Sequence, residues 1–226
     1  MKFSGKWLPD GRAYREACLR LSKNLDGFKV DPEYMGIVGN DTRGPDVVEA
    51  FDKVVKLPYV SSNDAIGSPV IHNGKSAGTL RYIKVVQDLL GCGIKSVVEI
   101  GGGYGGQCLV VRELLGVEYT IIDIPEALEL SRAYLGGDQC TFISDQDVPE
   151  LSCDLFLSDY CLGEMDPAGM DFYFSRVKAL MYYITCNETS ADTIMGKLKS
   201  FCSDTYIEEE NPRTSRHRNY LCVGRS

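Results

Sequence analysis

The sequence predicts an α/β protein: a seven-stranded sheet, parallel except for a C-terminal antiparallel hairpin, with a small helical cap before it. Three observations predict this. Ser96–Gly106 reads Ser-Val-Val-Glu-Ile-Gly-Gly-Gly-Tyr-Gly-Gly, a short apolar strand running into a glycine turn. From residue 79 onward, β-branched runs alternate with helical spacings, the signature of a parallel sheet with right-handed crossovers. The last two strand-like runs, Thr205–Glu209 and Tyr220–Val223, are joined by the polar turn Asn211–Arg218 without a helix, so they must pair antiparallel.

Residues 1–78 show no parallel-sheet pattern and are expected to form a helical cap with an acceptor-side loop. Residues 79–226 are expected to form the core. In the cap, Arg12–Lys23 and Asp46–Val55 carry apolar residues near helical spacing, and Pro45 suits a first helical turn. Gly36–Gly44 and Ser61–Pro69 read as turn-rich. In the core, the spacing predicts a helix over Leu80–Leu90, a strand ending at Ile100 and a helix from about Gln107. It then predicts a strand over Glu118–Asp123, a helix from Pro125 to about Tyr134, and strands at Thr141–Ser144 and Asp154–Ser158. A helix over about Ala168–Leu180 precedes a fifth strand, Tyr182–Cys186. Ser190 reads as the N-cap of a helix running to about Cys202.

Composition narrows the function. The hydrophobic content is 44%, and no apolar run approaches the roughly 20 residues of a membrane span. The N-terminal stretch lacks the apolar core of a signal peptide. Nine cysteines, an odd number with no Cys-x-x-Cys pair, fit reduced thiols in a cytoplasmic compartment better than a disulfide framework or zinc site. The net charge is −8; residues 1–78 hold 11 basic and 10 acidic side chains, residues 79–226 hold 13 and 22. An acidic core counts against a nucleic-acid substrate, which calls for a basic face.

The glycine turn admits two ligands. Gly101-x-Gly103-x-x-Gly106 satisfies the dinucleotide fingerprint, while Glu99-x-Gly101-x-Gly103-x-Gly105 resembles motif I of the class I S-adenosylmethionine (SAM) methyltransferases, which have a Rossmann-like fold. Glu99 favours the second. A carboxylate inside a strand is costly without partners, and methyltransferases use it beside the methionine end of the cofactor. The terminal hairpin favours the same reading, since an NAD-type domain ends on a parallel sixth strand. An NAD-dependent oxidoreductase and a non-catalytic SAM-binding module remain the alternatives.

Ligands in an open α/β sheet lie beyond the carboxyl ends of the strands. This places Gly101, Gly103, Gly105, Asp123, Asp145, Gln146, Asp159, Tyr160, Asn187 and Glu188 on one rim, with Ile124, next to Asp123, also expected at the cofactor. Asp123 suits a carboxylate gripping ribose hydroxyls, and Asp145 with Gln146 would flank the adenine. If the acceptor is an alcohol, it needs a proton acceptor. The candidates are Asp159, Glu164 and Asp166 after strand four, and the two histidines, His72 and His217. Asp159 with Asn187 or Glu188 also offers oxygen ligands at adjacent strand ends, which suits Mg²⁺; with no second aspartate beside Asn187, a metal-free site is expected.

With these residues in view, the chain resembles the sugar O-methyltransferase family of polysaccharide clusters and large DNA viruses. The resemblance rests on Asn63-Asp64-Ala65-Ile66-Gly67-Ser68-Pro69, Leu80-Arg81-Tyr82 and Val98–Gly106. It continues through Ile122-Asp123-Ile124-Pro125, Ser158-Asp159-Tyr160 with Glu164, and His217-Arg218-Asn219-Tyr220. It implies methyl transfer from SAM to a sugar hydroxyl, leaving S-adenosyl-L-homocysteine, with Glu164 and His217 near the acceptor. His72, in the loop after Pro69, and Tyr160, at the end of strand four, are expected as substrate contacts from their positions in the chain. The chain departs from the family in carrying Asp159 where asparagine is usual and Gly163 where serine is usual. Family members are often longer at the N-terminus, which fits one domain of a larger glycan-synthesising protein. A methyltransferase of another small-molecule hydroxyl is the alternative within the same chemistry.

Overall fold

The structure, a computed structural model, describes residues 8–38, 44–58, 61–137, 140–214 and 218–226. Three helices come first: α1 (Leu8–Leu21), α2 (Pro32–Val38) and α3 (Pro45–Val54). Next come α4 (Ala77–Leu89), β1 (Ser96–Ile100), α5 (Gly106–Leu115), β2 (Glu118–Asp123), α6 (Pro125–Leu135) and β3 (Thr141–Ser144). The chain continues through β4 (Leu151–Asp159), α7 (Pro167–Arg176), β5 (Val177–Asn187), α8 (Glu188–Leu198), β6 (Asp204–Glu209) and β7 (Asn219–Arg225).

The seven strands form one sheet in the order β3-β2-β1-β4-β5-β7-β6. The first five pair in parallel, and β7 pairs antiparallel with both β5 and β6. The expected mixed sheet with its terminal hairpin is therefore the observed one. Strand order reverses between β1 and β4, so a crevice opens at the carboxyl ends of these two strands. Proline stands in the first turn of α3, α6 and α7, where its missing N–H costs nothing.

Side chains on the two faces of the sheet belong to two hydrophobic clusters. Val97, Ile121 and Leu157 share one with Ala17, Phe51, Leu80 and other residues of the first six helices. Val98, Phe156 and Ile184 share the other with residues of α7 and α8, including Phe174 and Ile194. Within the first cluster, α1 packs on α6 and α3 on α4, so the N-terminal helices and the sheet have one continuous core.

Several boundaries differ from those the sequence predicts. Strand β5 starts at Val177, inside the stretch that reads as helix: Val177, Ala179 and Met181 are buried while Lys178 and Leu180 are exposed, a period of two. Its neighbour β4 likewise begins at Leu151, paired with Val177. Asn187, rather than Ser190, is the N-cap of α8; the Ser190 hydroxyl donates back to the Asn187 carbonyl at 3.0 Å. Helix α1 starts at Leu8, four residues earlier than the apolar spacing marks. Helix α2 occupies Pro32–Val38, so Gly36 is helical instead of opening a turn.

Candidate active site

The glycine turn is fixed by backbone geometry that side chains would disrupt. Gly101 has φ +82°, and its N–H donates to the Ile122 carbonyl at 2.9 Å. A Cβ there would lie 2.2 Å from the Cβ of Cys161, so the β4–α7 loop closes directly on the turn. At Gly103 the N–H donates to Oδ2 of Asp123 at 2.9 Å, and its carbonyl accepts from the Ser131 hydroxyl at 2.6 Å. Oδ1 of Asp123 accepts from the Ile124 N–H at 2.7 Å. Burial nonetheless pushes the Asp123 carboxyl up to about 6. Gly105, also at positive φ, is the N-cap of α5, whose first turn faces this loop.

Asp145 follows β3, and its N–H donates to the Asp123 carbonyl at 2.9 Å. Its side chain is buried, which raises its pKa, and Oδ1 has no hydrogen-bond partner among the described residues. Gln146 is exposed beside it, its N–H bonded to the Ser144 hydroxyl at 3.2 Å. Glu99 lies inside the sheet at 2% exposure. It accepts from the Tyr119 phenol at 3.0 Å, and burial, together with the nearby Asp159, pushes its carboxyl up to about 8. The Cys161 thiol has its pKa raised first by burial and then by the charges of Asp123, Glu164, Glu99 and Asp145.

At the end of β4, Asp159 faces Arg81 of α4, with Oδ2 3.8 Å from Nη2 and both side chains largely buried. Tyr160 follows with φ +67°, a conformation strained for a tyrosine, pinned by its N–H donating to the Thr185 carbonyl at 2.8 Å. Its phenol donates to Glu210 at 2.8 Å, contacts the Thr214 hydroxyl and accepts from Asn219 at 3.2 Å. Glu164 ends a short 3-10 turn over Leu162–Glu164. His72 bridges to Lys75 in the loop before α4, and Lys75 in turn pairs with Asp52 of α3. His217 lies outside the described residues.

Asn187 caps α8 with its backbone and pairs in register with Asn219. The Glu188 carboxylate is 59% exposed and stands 4.0 Å from Arg218. Among the described residues, no group of three or more His, Cys, Asp or Glu side chains is arranged to hold a metal. No helix among them is long and apolar enough to cross a membrane.

Two features escape a functional reading of the sequence. Arg81 sits in an amphipathic helix, where a charge normally marks the solvent face. Lys29 is fully buried, donating to the Asn63 carbonyl and to Oδ1 of Asn63 at 3.2 Å. Its ammonium lies 5.0 to 5.5 Å from the rings of Phe28, Tyr104 and Tyr134. Tyr104 belongs to the glycine turn, so the cap grips the turn through a buried cation. A lysine between apolar neighbours was the only signal available for it.

No protein-family model matches the chain. Over 67 residues it is 36% identical to Acetylserotonin O-methyltransferase 1 of Oryza sativa subsp. japonica, a stretch of 27% of this chain and 18% of that protein. The chain thus spans under a fifth of the length of the curated relative it matches. Among solved structures, it resembles the methyltransferase domain of bacterial CtHen1-C (TM-score 0.56, 11% identity, 66% of this chain and 97% of that one). It also resembles an O-methyltransferase family protein from Burkholderia thailandensis (TM-score 0.50, 15% identity, 66% and 57%). The fold is the Rossmann-like class I methyltransferase fold.

Proposed function

We propose that this protein is a SAM-dependent O-methyltransferase whose acceptor is a sugar hydroxyl of a glycan or glycoconjugate. The observation that carries the reading is a buried carboxylate, Glu99, ahead of a glycine turn that is itself bonded to Asp123. The groups present suit SAM. Asp123 would hold the ribose hydroxyls, with the Ile124 backbone beside it. The unpartnered, buried Oδ1 of Asp145 would accept from the adenine amine, with Gln146 flanking. Glu99 would face the positively charged methionine end, with Gly101, Gly103 and Gly105 leaving room for the ligand.

When bound, SAM supplies a sulfonium methyl open to in-line displacement. The chain's own task is to align the acceptor oxygen and take up its proton. We assign proton uptake to Asp159 or His217, with Glu164, Tyr160 and His72 on the acceptor side. The acidic core supports a neutral acceptor over a nucleic acid. A metal-free site, a cytoplasmic location and membership of a larger glycan-synthesising protein belong to the same reading. The local identity to Acetylserotonin O-methyltransferase 1 favours a second one, a non-sugar small-molecule hydroxyl as acceptor.

The test has two stages. S-Adenosylhomocysteine should raise the melting temperature and NAD should not, because a ligand that binds the folded state stabilises it. A mass-spectrometric screen of glycan acceptors with SAM, with and without EDTA, should then find a methylated sugar in both conditions. Stabilisation by NAD alone would sink the donor assignment; methylation of aromatic hydroxyls alone would sink the sugar.

A further inference from the structure

Arg81 is a buried arginine whose hydrogen-bonding capacity is mostly unused. The residue is 9% exposed, yet Nε and Nη1 have no hydrogen-bond partner among the described residues. Nη2 is 3.8 Å from Oδ2 of Asp159, close enough for attraction but too long for a hydrogen bond, and that Oδ2 is itself unpartnered. The rings of Tyr82 and Tyr160 lie 5.2 and 5.6 Å from Cζ and hold the guanidinium in place. Native interiors rarely leave such donors unsatisfied, and a fixed guanidinium with free N–H groups is built for an oxyanion.

Position identifies which oxyanion. Helix α4 leads into β1, so its first turns stand at the carboxyl ends of the strands, beside the crevice. Arg81 touches the end of β4 there, and its charge acts on Glu99 of β1. Asp123, Asp145 and Asp159 would repel an anion in this crevice, and Glu99, which holds its proton to about pH 8, offers it no positive charge. Arg81 is the buried arginine among the described residues. The other buried cation, Lys29, is already held by Asn63.

We infer that Arg81 binds the α-carboxylate of the donor's amino-acid end, while Asp159 beside it keeps the guanidinium oriented. This rests on the reading of SAM as donor and adds the residue that distinguishes an amino-acid nucleoside from a plain one. Arg81 is thereby a determinant of donor specificity rather than of the acceptor.

Calorimetry with S-adenosylhomocysteine and its descarboxy analogue, S-adenosyl-3-thiopropylamine, tests it on wild type, Arg81→Gln and Arg81→Lys. The two ligands differ only in the carboxylate. Wild type should prefer S-adenosylhomocysteine by about tenfold or more. Arg81→Gln should erase that preference by weakening S-adenosylhomocysteine, leaving the analogue within roughly twofold, and Arg81→Lys should restore part of it. If Arg81→Gln does not fold, the wild-type preference and the lysine variant decide. Equal affinity of wild type for both ligands, or equal weakening of both by the substitutions, overturns the role of Arg81 and leaves the donor reading standing. Binding of neither ligand by wild type overturns both.

Discussion

The phenol of Tyr119 donates to Oε2 of Glu99 at 3.0 Å within the core of the sheet, on the face covered by the first six helices. This one hydrogen bond favours the ionised carboxylate, but burial and the neighbouring Asp159 outweigh it. The group therefore holds its proton in the folded protein to about pH 8, against 4.5 for a free glutamate. Between those values the native state binds more protons than the unfolded one, so stability falls as pH rises. Denaturant melts from pH 5 to pH 8 should show a smaller loss for Glu99→Gln than for wild type. Parallel curves for the two proteins would exclude a protonated Glu99.

Asp123 bonds the Gly103 and Ile124 N–H groups through its carboxylate, and burial lifts it to about 6. Asp123→Ala should abolish measurable binding of S-adenosylhomocysteine by calorimetry. In wild type the affinity should decline as pH drops below about 6, where the carboxylate takes up its proton. Unchanged affinity in the variant would remove Asp123 from the donor site.

Gly101→Ala should cost at least ~2 kcal/mol, since it adds a methyl group against Cys161 at a positive φ. Gly116→Ala provides the comparison. Its φ is +65°, but the added methyl meets no atom within 4 Å, so the cost should be only about 1 kcal/mol. Urea midpoints at fixed slope separate the two.

Asn63→Ala should destabilise the protein by about 3 kcal/mol. The amide donates to Thr79 at 2.7 Å and accepts from Tyr134 at 2.7 Å, from Tyr104 at 3.3 Å and from the buried Lys29. The variant should also loosen the glycine turn, read as faster amide exchange at Tyr104 and Gly105. Retained protection there would uncouple the cap from the turn.

At saturating SAM, so that any effect of Asp159 on donor binding through Arg81 is removed, alanine at Asp159 or His217 should lower methyl transfer by about 10²-fold or more in at least one case. Rates within a few-fold of wild type in both variants would leave neither as the proton acceptor.

The sheet was legible because its strands carry dense β-branched runs that end in a polar residue: β2 and β3 span the residues the pattern marks, and Asp123 and Asp145 fall at their ends. The span from Val177 to Met181 was not legible, because Val, Ala, Leu and Met satisfy either period, and pairing with β4 decides it. Arg81 and Lys29 were hidden for a different reason. Each is an ordinary charged residue by local pattern, buried only because elements far away in sequence close over it: the end of β4 for Arg81, and Tyr104 and Tyr134 for Lys29.

The order in which the strands are made differs from the order in which they lie. Strand β7 emerges from the ribosome after the other six, yet it occupies an interior place between β5 and β6. Until residues 219–225 are synthesised, β5 has an open edge on that side and β6 has no neighbour. Completion of the sheet must therefore wait for these residues, leaving a nascent chain with exposed backbone donors and acceptors on β5.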